Sequence, residues 1–159
     1  MVSDTATIEL HNATSPYTLI ESRKGILNTS GVGTCNFTSA FNDTNYYIVV
    51  KHRNGLETWS AAGNSFSSYA LSYDFTTSQN KAYGSNLVQK GIKWCIYNGD
   101  INHDGLVDLS DIIAIDNDNA KYVTGYVNTD VNGDVIIDLS DLIIDDNNNQ
   151  KYVHKNFPP

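Results

Sequence analysis

No stretch of eighteen apolar residues occurs anywhere in the 159 residues, which excludes a helical membrane span. The start, Met1 to Leu10, has neither the basic segment nor the apolar stretch of a secretory leader, so no signal peptide is expected there. Motifs of catalysis are missing too. There is no G-x-S-x-G, no H-E-x-x-H, no phosphate-binding loop and no Cys-His pairing, and the histidines, His11, His52, His103 and His154, are scattered. Glu9, Glu21, Glu57 and Asp74 fall on or near strand-like segments, where carboxylates are usually solubilising, so no enzymatic activity is expected. Cysteine is scarce. Cys35 and Cys95 allow at most one internal disulfide, which would close a loop of about 60 residues and contribute roughly 4 kcal/mol in the chain-entropy model. Strand alternation puts Cys35 on the face of Phe37 and Cys95 opposite Trp94 and Ile96, so a bridge and two buried thiols both stay open.

What the chain does have is acidity in one place. Before Asp100, seven Lys and Arg stand against six Asp and Glu; from Asp100 onward, three Lys stand against twelve Asp. Carboxylates crowded in this way repel one another unless a cation sits among them. A nucleic-acid partner is excluded on the same ground.

The acidic segment is an internal repeat of 30 residues. Asp100 to Val123 reads DINHDGLVDLSDIIAIDNDNAKYV and Asp130 to Val153 reads DVNGDVIIDLSDLIIDDNNNQKYV. Each copy opens with oxygen-bearing side chains at alternate positions. Calcium needs six to eight oxygens, and a twelve-residue loop supplies them from positions 1, 3, 5, 9 and 12 and from the carbonyl of position 7. In the first loop these are Asp100, Asn102, Asp104, Asp108, Asp111 and the carbonyl of Leu106, with Gly105 at the turn position 6. In the second they are Asp130, Asn132, Asp134, Asp138, Asp141 and the carbonyl of Ile136, but Val135 takes the place of the glycine. A β-branched residue at positive φ costs on the order of 1 to 2 kcal/mol, so the second site is expected to be the weaker unless Gly133 lets the turn shift. Asp116, Asp118, Asp145 and Asp146 are candidates for outer ligands, but a solvated helix face is the expectation for them.

A terminal Asp in place of Glu, no convincing entering helix and a single exiting helix per loop together resemble the dockerin family. The resemblance covers roughly 55 residues. It implies calcium-dependent folding, an extracellular or cell-surface setting and a protein-binding role, with a cohesin-like protein as partner. Leu109-Ser110 and Leu139-Ser140 stand where that family centres its partner contact, whereas Asp116-Asn117 and Asp146-Asn147 stand where its members often carry Lys or Arg.

Residues 5 to 98 read as short strands with turn residues between them: Thr7 to His11, Tyr17 to Glu21, Thr34 to Ser39, Asn45 to Arg53, Leu56 to Ser60, Tyr69 to Thr76 and Gly91 to Tyr97. Asn54-Gly55 predicts a type I′ hairpin turn. The fold class expected is mainly β: a β-sandwich over residues 1–98, joined with almost no linker to a dockerin-like calcium module over residues 99–159. The lines NYYIVVKHRNGLETWS and KGIKWCIYNGD resemble β domains that precede dockerin-like repeats in secreted bacterial proteins, and also protomers of extracellular bacterial fibres. Three functions follow as expectations: a non-catalytic, calcium-binding subunit of a surface layer or fibre; a dockerin-type adaptor; or a carbohydrate-binding module stacking sugars on Trp59, Tyr46, Tyr47, Tyr69 or Tyr73. For the first, Thr5 to His11 is a candidate for strand exchange between copies, or else it closes its own sheet.

Overall fold

In the computed structural model, which describes residues 4–159, the chain is mainly β, with antiparallel strands and two helices. It divides into two compact units. One contains His52–Glu57 and Tyr97–Lys155; the other contains residues 4–51, Thr58–Ile96 and Asn156–Pro159. The first three residues of the Met1 to Leu10 segment lie outside the described residues.

The β unit is built on a sheet in the order β2-β1-β3-β4, with β5 also paired to β3. β1 is Asp4–Asn12, β2 Leu19–Leu27, β3 Asn45–His52, β4 Thr58–Trp59 and β5 Asn64–Ser65. A separate two-stranded sheet joins β6, Val88–Lys90, to β7, Lys93–Cys95. Period-two alternation decides what faces inward. From β1 and β3, Leu10, Tyr46 and Ile48 form the buried cluster, with Ile8 and Ile20 beside them. This face is covered by Phe37, Ala40, Phe66, Leu71, Tyr73 and Phe75, all of which lie outside the named strands, Phe75 in a short 3-10 turn. The opposite face carries Glu9, whose Oε2 lies 3.0 Å from His11 Nε2 and 2.9 Å from Lys51 Nζ, and Trp59, flanked by His11 and Tyr47 at centroid distances of 4.6 and 5.8 Å.

Two strand expectations and one turn type are corrected. Thr34 to Ser39 is not a strand, because the Glu21 carboxylate captures the backbone N–H groups of Thr38 (2.9 Å) and Ser39 (2.7 Å) that a ladder would need. Tyr69 to Thr76 is interrupted by Ser68 and Tyr69 at φ of 50° and 61°, and by the Asp74 side chain capping a 3-10 turn through Thr76 N. The Asn54-Gly55 turn is not type I′, since neither residue has positive φ. β3 does pair with β4, through Val49↔Trp59 and Val50↔Thr58, but the connection is a longer loop. Thr5 to His11 lies in β1, between β2 and β3 of its own sheet, so it presents no free edge for exchange between copies. Cys35 and Cys95 are free thiols, and burial pushes that of Cys35 up.

Glu21 gives the β unit an acid limit. Desolvation opposes its charge, but the Ser39 N–H, the Arg23 guanidinium, and the Thr38 N–H and hydroxyl outweigh that and hold the carboxyl down to about 2, against an ordinary 4.5. A depressed folded value means that the stability it contributes is complete above 4.5 and disappears as pH falls through about 2. Urea unfolding followed by tryptophan fluorescence is expected to show this loss in the wild type. Glu21→Gln should be weaker at neutral pH and flatter across the acid range; parallel pH profiles would remove Glu21 as the cause.

Candidate metal centre

Each loop ends in a helix whose start is fixed by the loop's own aspartates. α1 spans Leu109–Ala120 and α2 spans Leu139–Asn149. Asp108 and Asp138 are the N-caps, accepting the N–H of Ser110 and Ser140, while Asp111 and Asp141 reach back to the cap N–H at 3.0 and 3.1 Å and complete a capping box. The same carboxylates also close the loop. Asp111 Oδ1 accepts Ile101 N at 2.9 Å, and Asp141 Oδ1 accepts Val131 N at 2.8 Å. Asp111 and Asp141 are fully buried, and Asp100 and Asp130 nearly so.

At positions 3, 5 and 11 the two loops match bond for bond. Asn102 Oδ1 accepts Asp104 N and Asn132 Oδ1 accepts Asp134 N, both at 2.8 Å. Asp104 Oδ1 accepts Leu106 N and Asp134 Oδ1 accepts Ile136 N, both at 2.9 Å. Ser110 and Ser140, whose part sequence reading missed although the repeat displays them, receive the Asn102 and Asn132 amides at 2.9 and 2.7 Å and donate to Asp108 and Asp138. Among the described residues no three His, Cys, Asp or Glu groups are spaced as a metal-holding cluster; the loop carboxylates are engaged by backbone N–H groups instead.

The donor set nevertheless fits a hard divalent cation. It is all oxygen, it recurs at the alternate positions of a twelve-residue loop, and it keeps the carboxylates of positions 1 and 12 out of water. Burial pushes the Asp100 and Asp111 carboxyls up despite their backbone donors, and nearby carboxylates add to the rise: Asp111 and Asp104 on Asp100, Asp104 on Asp111. A cation among these groups would reverse that repulsion.

Position 6 shows how the second loop tolerates its valine. The turn does not shift: His103 and Gly105 have φ of 62° and 88°, Gly133 and Val135 of 80° and 68°. Each position 6 accepts a bond from across a short antiparallel bridge, Lys155 N to Gly105 O and Gly125 N to Val135 O, both 2.8 Å. The sizes are reciprocal. A Cβ on Gly105 would stand 2.6 Å from Lys155 Cδ, whereas Val135 faces a glycine. Position 1 differs as well. Asp100 accepts Gly105 N at 3.4 Å, while Asp130 accepts Gly133, Asp134 and Val135 N–H at 2.8, 3.1 and 3.3 Å and pairs with Arg53 at 3.4 Å. The Asp130 carboxylate is thus the more committed of the two. Val135→Gly is expected to relieve 1 to 2 kcal/mol or so of strain and to tighten the second site several-fold in a calcium titration. An unchanged affinity would show that the strain does not reach the ligands.

Asp145 is not on a solvated face. It is fully buried, neither carboxylate oxygen has a hydrogen-bond partner, and it occupies the place that Ile115 holds in the other repeat. Asp116 and Asp146 are exposed, and Asp118 accepts the Thr129 hydroxyl at 2.8 Å. Of the aromatics considered for glycan stacking, Tyr46 and Trp59 are buried, Tyr47 and Tyr73 half-buried in ring clusters, and Tyr69 exposed. No protein-family model, curated protein or solved structure matches the chain.

Proposed function

We propose that this chain is a non-catalytic calcium-binding assembly protein of dockerin-like type, with two ions held by the loops from Asp100 to Asp111 and from Asp130 to Asp141. The observation that carries this reading is the repetition of the same bonds at positions 3, 5 and 12 in two segments whose ligand positions are filled by oxygen donors. Calcium would neutralise the clustered aspartates and fix the start of each exiting helix. Asp100, Asn102, Asp104, Asp108, Asp111 and the Leu106 carbonyl would hold one ion; Asp130, Asn132, Asp134, Asp138, Asp141 and the Ile136 carbonyl would hold the other. An extracellular setting, where calcium is plentiful, belongs to the same proposal.

The protein-binding part rests on apolar side chains that have no core to enter. Leu109 and Ile113 on α1, and Leu139 and Ile143 on α2, are each more than half exposed and sit four residues apart on one helix face. Because they recur with the repeat, they suit an adaptor with a cohesin-like partner, or copies of the chain joining one another as subunits of a layer or fibre. Sedimentation across a range of concentrations separates the two. Calcium-dependent growth that is abolished by Leu109→Glu with Leu139→Glu is the result expected of a self-assembling subunit. A monomer at every concentration removes self-assembly and leaves the heterologous partner.

A further inference from the structure

Neither calcium loop is preceded by a helix: β7 ends at Cys95, and α1 ends well before Asp130. In a helix-loop-helix site the entering helix fixes the residue carrying the first ligand. Here another segment stands at that place. Residues 53–56, from the connection between β3 and β4, belong to the same compact unit as Tyr97–Lys155. At the first loop the contact is made by main chain: Leu56 N donates to Tyr97 O at 2.8 Å and Gly99 N donates to Asn54 O at 2.7 Å. At the second loop it is made by side chains. Asn54 Nδ2 donates to Asp130 O at 2.7 Å, and Arg53 Nη1 donates to Asp130 O at 2.9 Å and also to Val127 O. Tyr97 and Val127 are equivalent in the 30-residue repeat, so the same carbonyl is held at both entrances.

The segment is built for this task. Asn54 and Leu56 are almost wholly buried, and Leu56 packs with Val107 and Val153. The Arg53 guanidinium lies 4.5 Å from the centroid of the Tyr126 ring, and its side chain is 11 % exposed. Its planar fork puts Nη1 on both carbonyls while Nη2 reaches the Asp130 carboxylate at 3.4 Å, a two-armed grip that a lysine ammonium on a flexible stem does not reproduce.

We propose that residues 53–56 are the common entrance support of both calcium loops, and that Arg53 and Asn54 are positioning residues of the second. They hold the Asp130 peptide and thereby aim its carboxylate. This rests on the calcium reading above and predicts an asymmetry: changing these side chains should affect the second loop, because the first is held by backbone.

The test is calorimetric calcium titration of the full chain as wild type, Arg53→Ala, Arg53→Lys and Asn54→Ala, with Asp134→Ala identifying the second site. Arg53→Ala and Asn54→Ala should each weaken the second site about tenfold and leave the first within twofold. Arg53→Lys should resemble Arg53→Ala, and it keeps the test valid if the alanine variant does not fold. Equal weakening of both sites, meaning a general loss of structure, would overturn the proposal. So would an unchanged second site, or a tighter one, which would show Arg53 acting as a rival cation. A wild-type chain that takes up no calcium would overturn this proposal together with the calcium reading, whereas two wild-type sites that ignore Arg53 and Asn54 would overturn this one alone.

Discussion

Chelation should melt the unit formed by His52–Glu57 and Tyr97–Lys155 at a lower temperature than in millimolar calcium, while the β unit changes little. Twelve Asp against three Lys from Asp100 onward leave that part of the chain strongly self-repelling without a cation. A ligand present at about 1,000 times its Kd stabilises by about 4 kcal/mol per site, enough to decide whether so small a unit stays folded. Hydrogen exchange is the discriminating measurement. The amides of Ile101, Asn102 and Asp108, which are bonded to Asp111, and those of Val131, Asn132 and Asp138, which are bonded to Asp141, should lose protection in EDTA. Asp104→Ala should reproduce part of the EDTA effect. Asp111→Ala should do more, and should destabilise even without calcium, because it also takes away the acceptor of the Asn102 and Asp108 N–H groups and leaves Ile101 N only the Gly99 carbonyl. Equal melting and equal protection in EDTA and calcium would show that the ions are not structural.

The second large effect is a gain. Burial, reinforced by the carboxylates of Asp111, Asp108 and Asp146, pushes the Asp145 carboxyl up to about 8 from an ordinary 3.8. A raised folded value for an acid means that the native state favours its protonated form. Stability associated with this group is therefore present below 3.8 and lost as pH climbs through about 8, the reverse of Glu21. Asp145→Val keeps nearly the same volume and restores the apolar character that Ile115 has in the other repeat. At pH 8 it should raise stability by about 3 kcal/mol, the scale on which an uncompensated buried charge costs a fold. The gain should shrink towards pH 4. A variant no more stable than wild type at pH 8 would show that Asp145 has a partner in solution.

Local rules made much of this fold legible. β1 and β3 were legible as strand segments and an exiting helix after each loop was legible from the repeat; the structure adds that Asp-Leu-Ser-Asp fixes each helix start, since capping depends on residues only three apart. The positive φ of Val135 could be expected from its place in the loop. What stayed hidden depends on partners distant in sequence. Asn54-Gly55 has the composition of a tight turn, yet Asn54 is committed to Gly99 and Asp130, and no local rule reports a bond across 76 positions. Thr34 to Ser39 has strand character but is captured by Glu21, which lies 17 and 18 residues before Thr38 and Ser39. Asp145 passed for a surface acid because the residues that follow it, Asp146 to Gln150, are polar. Aligning the repeats with each other sets it against Ile115, and that was the available sign of its burial.

Calorimetric titration of the metal-stripped chain with calcium tests the central claim most directly. The account predicts two ions per chain with unequal affinities, the tighter site lost in Asp104→Ala and the weaker in Asp134→Ala. Absence of binding heat, together with no change in hydrogen exchange at millimolar calcium, would contradict it.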